Sequence, residues 1–257
     1  MKVGNTNPDI RAWVAAAAMM LLGACASQSP ELDAQPLATS PWATAFSTAD
    51  SSAPWRHQLF PGKLPSFYRY VRIDGRDAVL VDSSSSASMV RQVARVEPAQ
   101  LNRLRFSWKV PALIENADLS VRELADSPVR VMLGFEGDRS KLSAKNAMLS
   151  ELAQLLTGEP MPYATLMYVW CNQDPLERVL VDTGTDRIRK IVMESGPANL
   201  HRWLDYERDV RADFVKAFGE PPGALVVIGI MTDTDNTRST ARAWYGPVRH
   251  VPIAIKP

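Results

Sequence analysis

Leu104-Arg105-Phe106-Ser107-Trp108-Lys109-Val110 alternates strictly between apolar and polar side chains. In an extended strand successive side chains point to opposite faces, so Leu104, Phe106, Trp108 and Val110 share one side and Arg105, Ser107 and Lys109 the other. The pattern predicts a strand with one side on a core and one in water. Val129–Phe135 repeats it, with Val129, Val131, Leu133 and Phe135 on one face. Working outward, Phe67–Ile73 and Ala78–Val81 flank Asp74-Gly75, a pair suited to a tight hairpin turn. Thr165–Trp170 and Leu225–Met231 are apolar on both faces, as central strands are. Arg178–Val181, Arg187–Met193 and Ala241–Val248 complete about nine or ten strands.

Two stretches have helical spacing instead. Leu149, Leu152, Leu155 and Leu156 share one face of a segment from about Ser143 to Thr157, closed by Gly158 and Pro160. Tyr206, Val210, Phe214 and Ala217 recur at about four, before Gly219 and Pro221. Many strands with about two isolated helices argue against alternating βαβ units. The expected fold is mostly β, an antiparallel jelly-roll β-sandwich.

The N-terminus carries an address. Lys2 and Arg11 precede twelve uncharged residues, Trp13 to Ala24, which end at Cys25. A charged start, a short apolar run and small residues before a cut describe an export signal. As a helix the run rises about 18 Å, short of the roughly 30 Å hydrocarbon core of a bilayer. Leu22-Gly23-Ala24-Cys25 resembles the lipobox of bacterial lipoproteins, which implies removal of residues 1–24 and acylation of Cys25. Several acyl chains anchor stably where one does not. Ala26 after the cysteine resembles the pattern sent on to the outer membrane, facing the periplasm. From 25 to 54 the chain is rich in Ser, Ala, Thr and Pro and reads as a flexible tether reaching about 30 Å. Residues 55–257 are then a single sandwich domain.

Composition narrows the function classes. With 29 basic and 28 acidic residues spread along the chain, nucleic-acid binding has no electrostatic footprint. Of the two cysteines Cys25 is taken by lipid, so Cys171 has no intrachain partner and reads as a small buried hydrophobe.

A family resemblance rests on the C-terminal third: Trp203, Asp209-Val210, Phe218-Gly219, Pro222, Gly229-Ile230, Thr232 to Thr237 and Ala241 to Gly246. Upstream, Phe106 to Val110, Arg130-Val131 with Phe135, and Tyr168 to Trp170 fit as well. Together they resemble the bacterial domain-of-unknown-function family 3047, over about Leu59 to Val248. The resemblance implies an exported protein and no particular activity. The ending, an apolar strand, an Asp/Asn-rich turn and an Ala/Tyr strand, also resembles galactose-binding-like jelly rolls and carbohydrate-binding modules in shape.

Candidate sites follow. Asp233, Asp235 and Asn236 are the densest oxygen donors and could contribute part of a calcium shell. Alternatively they form a turn whose side chains bond their own backbone. Trp108, Trp170, Trp203, Trp244 and Tyr245 are candidate sugar-stacking rings or core residues. Trp244 and Tyr245 must point opposite ways, and Trp244, flanked by Arg242, is the best candidate for a cleft. Arg242 with Asp233 or Asp235 can equally be an ordinary ion pair. Hydrolysis has thinner support. His57, His201 and His250 lie apart, and neither HExxH nor Gly-x-Ser-x-Gly occurs. Acids among Glu136, Asp138, Glu194, Asp233 and Asp235 leave a two-carboxylate glycosidase open. The reading is an envelope lipoprotein that binds a saccharide or another envelope component without catalysis. A glycan hydrolase and a protein-assembly module with an exposed apolar patch are the alternatives.

Overall fold

The computed structural model describes residues 36–44 and 54–251. The signal segment 1–24, Cys25 and residues 26–35 lie outside them.

Thirteen strands form two sheets. In chain order they are β1 (Arg56–Leu59), β2 (Phe67–Ile73), β3 (Arg76–Ser84), β4 (Ser88–Val96), β5 (Arg103–Lys109), β6 (Ser127–Phe135), β7 (Ala164–Cys171), β8 (Val179–Val181), β9 (Ile188–Ser195), β10 (Leu204–Asp209), β11 (Leu225–Asp233), β12 (Thr240–Tyr245) and β13 (Arg249–Val251). The helices are α1 (Pro41–Thr44), α2 (Ala144–Thr157) and α3 (Val210–Phe218). The larger sheet runs β1-β4-β11-β6-β7-β9-β8, and the smaller runs β10-β5-β12-β3-β2 with β13 also on β5. From β3 to β6, and again from β10 to β12, successive strands alternate between the sheets. That wrapping makes the sandwich a jelly roll. Among the described residues no helix is long and apolar enough to cross a membrane.

The β2–β3 hairpin turns where Asp74-Gly75 predicts. Both residues have positive φ, 52° and 74°, and Ile73 pairs with Arg76 across them. The core lies between the sheets. Val79, Val81, Phe106, Trp108 and Tyr245 of the smaller sheet meet Val131, Leu133, Phe135, Tyr168, Ile191 and Ile230 of the larger. Phe106 stacks on Tyr168 and on Tyr206, with ring centroids 5.2 and 5.1 Å apart. Each fully buried side chain of this kind contributes about 1.5–3 kcal/mol. The outer face of β7 is also covered. Met167, Val169 and Cys171 cluster there with Leu119, Leu180 and Val192, which explains a strand apolar on both sides. Cys171 is buried, and burial pushes its thiol above the ordinary range.

The alternation misses β1, β4 and β13, and the structure departs from the expectations in four further places. β7 and β9 pair in parallel, because the chain leaves β7, forms β8 and folds back through β9 between them. Tyr206 belongs to β10, opposite Phe106; the helix begins four residues later, where the Asp209 side chain caps the Ala212 N–H. Leu152, Leu155 and Leu156 of α2 are exposed and Leu149 is half-buried, while its buried residues are Asn146 and Ser150. Residues 36–44, inside the stretch that composition assigns to the tether, lie on the sandwich. Trp42 and Ala43 are buried in the core and the Trp42 and Trp55 rings are 4.6 Å apart. One tryptophan supplies the apolar area that its Ser/Pro-rich surroundings lack.

α3 is fastened by charge as well as by Phe214. Arg208 binds Asp213, which accepts the Tyr168 hydroxyl at 2.8 Å, and Arg208 and Lys216 both bind Glu177, at 2.6 and 2.7 Å. Hydrogen bonds from Arg208 first, then Lys216, hold the Glu177 carboxyl at about 2, below its ordinary 4.5. A depressed carboxyl adds stability above its unfolded value and loses it on protonation. Unfolding free energy is therefore expected to fall as pH drops from about 4.5 towards 2, and Glu177→Gln to flatten that limb in urea titrations. Glu177 is half exposed, so its share is under about 1 kcal/mol. An unchanged pH profile in the variant would reject the assignment.

Candidate functional site

The outer face of the smaller sheet is where sequence-predicted residues meet. Tyr245 and Ala243 of β12 point into the core, so Trp244 and Arg242 point out. Register places Trp244 beside Leu80, Arg242 beside Asp82, and Phe67 on the other side of Asp82. Leu80, Val71 and Ala78 form an apolar floor with Trp244 and Trp203 packed against it. A cleft of about 840 Å³ opens here, lined by Phe67, Asp82, Ser84, Thr240, Arg242 and Trp244 among others. Phe67 is 61% exposed.

Charges hold this face in place. Arg242 Nε donates to Asp82 Oδ1 at 2.6 Å. Lys109 lies 5.8 Å from the centre of the Trp244 ring and donates to Asp74 at 2.8 Å; Asp74 also accepts the Trp203 indole N–H at 3.1 Å. The Lys109 hydrogen bond, with Trp203 adding to it, holds the Asp74 carboxyl below its usual range. Arg76 covers the Trp203 ring and grips both oxygens of Asp205. A second depression of about 600 Å³ on the same sheet is lined by Arg76, Arg105, Ser107, Asp205, Glu207 and Arg249. There Arg105 and Arg103 share Glu207 and hold its carboxyl down.

The acidic turn lies elsewhere. Asp233 is buried at the end of β11, with both oxygens on Arg130 at 2.8 Å and Oδ1 also accepting the Ser127 N–H. Burial pushes its carboxyl above the ordinary range, against the pull of Arg130. Asp235 pairs with Lys63. The Asn236 amide donates to Asp126 Oδ1 at 3.1 Å, and Thr237 donates to Asp126 Oδ2 through its N–H and its hydroxyl. The turn is thus held by Asp126, a residue 110 positions away that no local signal singles out. Asp126, Asp233 and Asp235 place one carboxylate oxygen each within 4.8 Å of one another, close enough to hold a metal ion.

The remaining candidates separate. Trp108, Trp170 and Tyr245 are core residues, and Trp203 joins Trp244 on the open face. Arg242 pairs with Asp82 rather than with Asp233 or Asp235. Glu136 pairs with Arg95, Glu194 accepts from Tyr206 and Asn199, and Asp138 caps Ser140.

A jelly-roll sandwich with an open face of tryptophan and paired charges is the class that fold and site define. Residues 53–249 match the family described as "Protein of unknown function (DUF3047)", and the chain belongs to that family. No curated protein matches the sequence. Among solved structures it is similar to the family 11 carbohydrate-binding module of the cellulosomal cellulase Lic26A-Cel5E of Clostridium thermocellum, at 8% identity over 79% of this chain and 89% of that one, with a TM-score of 0.36. It is also similar to the xyloglucanase domain of NopAA, a type three effector from Sinorhizobium fredii, at 10% identity over 83% and 100%, with a TM-score of 0.42. A third likeness is to CBM86, a low-affinity xylan-binding module from Roseburia intestinalis, at 10% identity over 75% and 96%, with a TM-score of 0.23. At such identities and scores these likenesses carry no information about ligand.

Arg130→Met strands the Asp233 charge in the interior and is expected to cost about 3–5 kcal/mol in urea unfolding. Arg130→Met combined with Asp233→Leu is expected to recover most of that loss. Equal destabilisation in the single and double variants would show that the pair is not a mutual constraint.

Proposed function

We propose that the protein is a cell-envelope lipoprotein whose sandwich binds a saccharide without catalysis, at the Trp244 cleft. Export, cleavage before Cys25 and an outer-membrane anchor facing the periplasm come from the N-terminal pattern. The observation that carries the binding reading is the shared cleft of Trp244, Phe67, Asp82 and Arg242. Exposed rings stack on apolar sugar faces, and a paired Arg and Asp supply donors and acceptors to hydroxyls. Among the described residues lining that cleft Asp82 is the one acid, and Arg242 neutralises it. Glycoside hydrolysis uses two carboxyl groups about 5–10 Å apart flanking the bond. Asp233 and Asp235 approach that spacing, but Asp233 is buried against Arg130 and lies outside the Trp244 cleft.

An array of envelope glycans probed with the protein tests this reading. Trp244→Ala is expected to weaken binding roughly tenfold or more, with a melting temperature lowered by a few degrees and far-UV circular dichroism showing the sandwich still folded. Binding to no glycan, or equal binding by the variant, would sink it.

Calcium is the finer reading of the Asp126, Asp233 and Asp235 oxygens, since it is a hard cation that seeks such donors. Arg130 and Lys63 already face Asp233 and Asp235, so an ion would displace Lys63 at the rim before it gained a shell. A higher melting temperature in excess calcium than in excess EDTA is the expected sign of a bound ion; identical curves would remove calcium from the proposal.

A further inference from the structure

α2 lies the opposite way round from a helix that packs by its apolar stripe. Asn146 and Ser150 face the body, while Met148, Leu152, Leu155 and Leu156 are 61%, 49%, 83% and 58% exposed. Hydrogen bonds set this rotation. Asn146 donates to Asp186 at 2.6 Å and accepts from Thr185 at 2.7 Å, and Arg139 donates to Ser150. Turning the leucines inward would break all three and bury the freed polar groups. The caps at Ser143 and Gly158 keep the helix whole without help from its outer face. Four side chains so exposed present on the order of 400 Å² of contiguous apolar surface, within the size range of functional patches on soluble proteins.

We propose that this leucine ridge docks on a lipid surface. The proposal rests on the reading that Cys25 carries the anchor. Eleven residue steps separate Cys25 from Pro36, the first described residue, and even fully extended they span at most about 40 Å. A body of residues 36–251 is itself on the order of 40 Å across. A domain on so short a lead stays against the bilayer, and the face that gains most by leaving water turns towards it. A second copy is a poorer fit, because the ridge offers about half of the roughly 800 Å² per partner that a stable interface buries. Lys141 and Lys145 stand exposed at the N-terminal end of α2 with no ion pair among the described contacts, placed for anionic headgroups. Glu151 lies on the opposite flank of the ridge, and Glu159, beyond the helix, is held by Arg91. A helix with its apolar side down and cations at the rim is how proteins lie in a membrane interface.

The test uses the full lipidated chain with Leu155→Cys carrying an environment-sensitive fluorophore, on phosphatidylcholine vesicles containing phosphatidylglycerol. Glu123→Cys serves as the control position, and buried Cys171 stays unlabelled. The label at 155 is expected to shift to the blue, brighten several-fold and escape an aqueous quencher, while the label at 123 stays aqueous. A label at 155 as aqueous as that at 123, on vesicles that carry the protein, overturns the proposal and leaves the ridge to a protein partner. A blue shift without vesicles that grows with protein concentration overturns it in favour of a second copy. An intact mass lacking acyl chains removes the anchor reading alone. The same label in a Cys25→Ser chain then reports, on added vesicles, whether the ridge enters lipid.

Discussion

The Arg130 and Asp233 side chains keep only 5% and 7% of their surface in water, and ions so buried persist only facing each other. Their meeting depends on a shift in register between β11 and β6. Met231 lies opposite Arg130, and after the shift Asp233 lies opposite Ser127, whose N–H it accepts. Beside this pair the Tyr245 hydroxyl accepts the Arg130 N–H and donates to the Met231 carbonyl at 2.5 Å. Tyr245 belongs to the smaller sheet, so strands of both sheets are tied at one point. The consequence reaches the open face. Tyr245 is locked inward, and a strand turns successive side chains to opposite sides, so Trp244 and Arg242 are forced outward.

Much of this architecture is written in the order of side chains. The alternation in Leu104–Val110 places Phe106 and Trp108 inside and Lys109 outside, as observed. Asp74-Gly75 predicts the hairpin because few other pairs tolerate positive φ twice. Elsewhere the pattern misleads for physical reasons. β4 puts Gln92 on its buried side, between Val90 and Ala94, and one polar residue there blurs the alternation. In Leu204–Asp209 the four-residue step from Tyr206 to Val210 imitates a helix, although Tyr206 pairs with Phe106 in a sheet. Within α2 the leucines keep a helical period, but hydrogen bonds of Asn146 with Thr185 and Asp186 and of Ser150 with Arg139, just ahead of the helix, decide which side faces the body.

The site was legible in part for a related reason. Trp244 and Arg242 are two apart on one strand, so their common side follows from the sequence. Their partners come from elsewhere in the chain: Asp82 from β3, Lys109 from β5, Phe67 from β2. Asp126 illustrates the limit. It satisfies the Asn236 and Thr237 donors only because the segment before β6 is folded back on the turn after β11. Spacing within the turn holds no trace of that.

Among the described residues the leucine ridge and the Trp244 face both stand open, and they are built differently. The leucine ridge is bare hydrocarbon on a helix fixed from behind, which suits a partner that is fluid and apolar. The Trp244 face is rigid from the front: Lys109, Asp74, Trp203, Arg76 and Asp205 form an unbroken chain of hydrogen bonds and cation–ring contacts across it. Side chains already held in place lose little freedom when a ligand arrives, so less of the interaction is spent on ordering them. In the second depression of the same sheet the cations outnumber their partners. Arg103 and Arg105 share the single carboxylate of Glu207, and Arg249, in register with Arg105, has no ion pair among the described contacts. A ligand with negative charge would meet that surplus without breaking an existing pair, whereas a positive one would have to compete for Glu207.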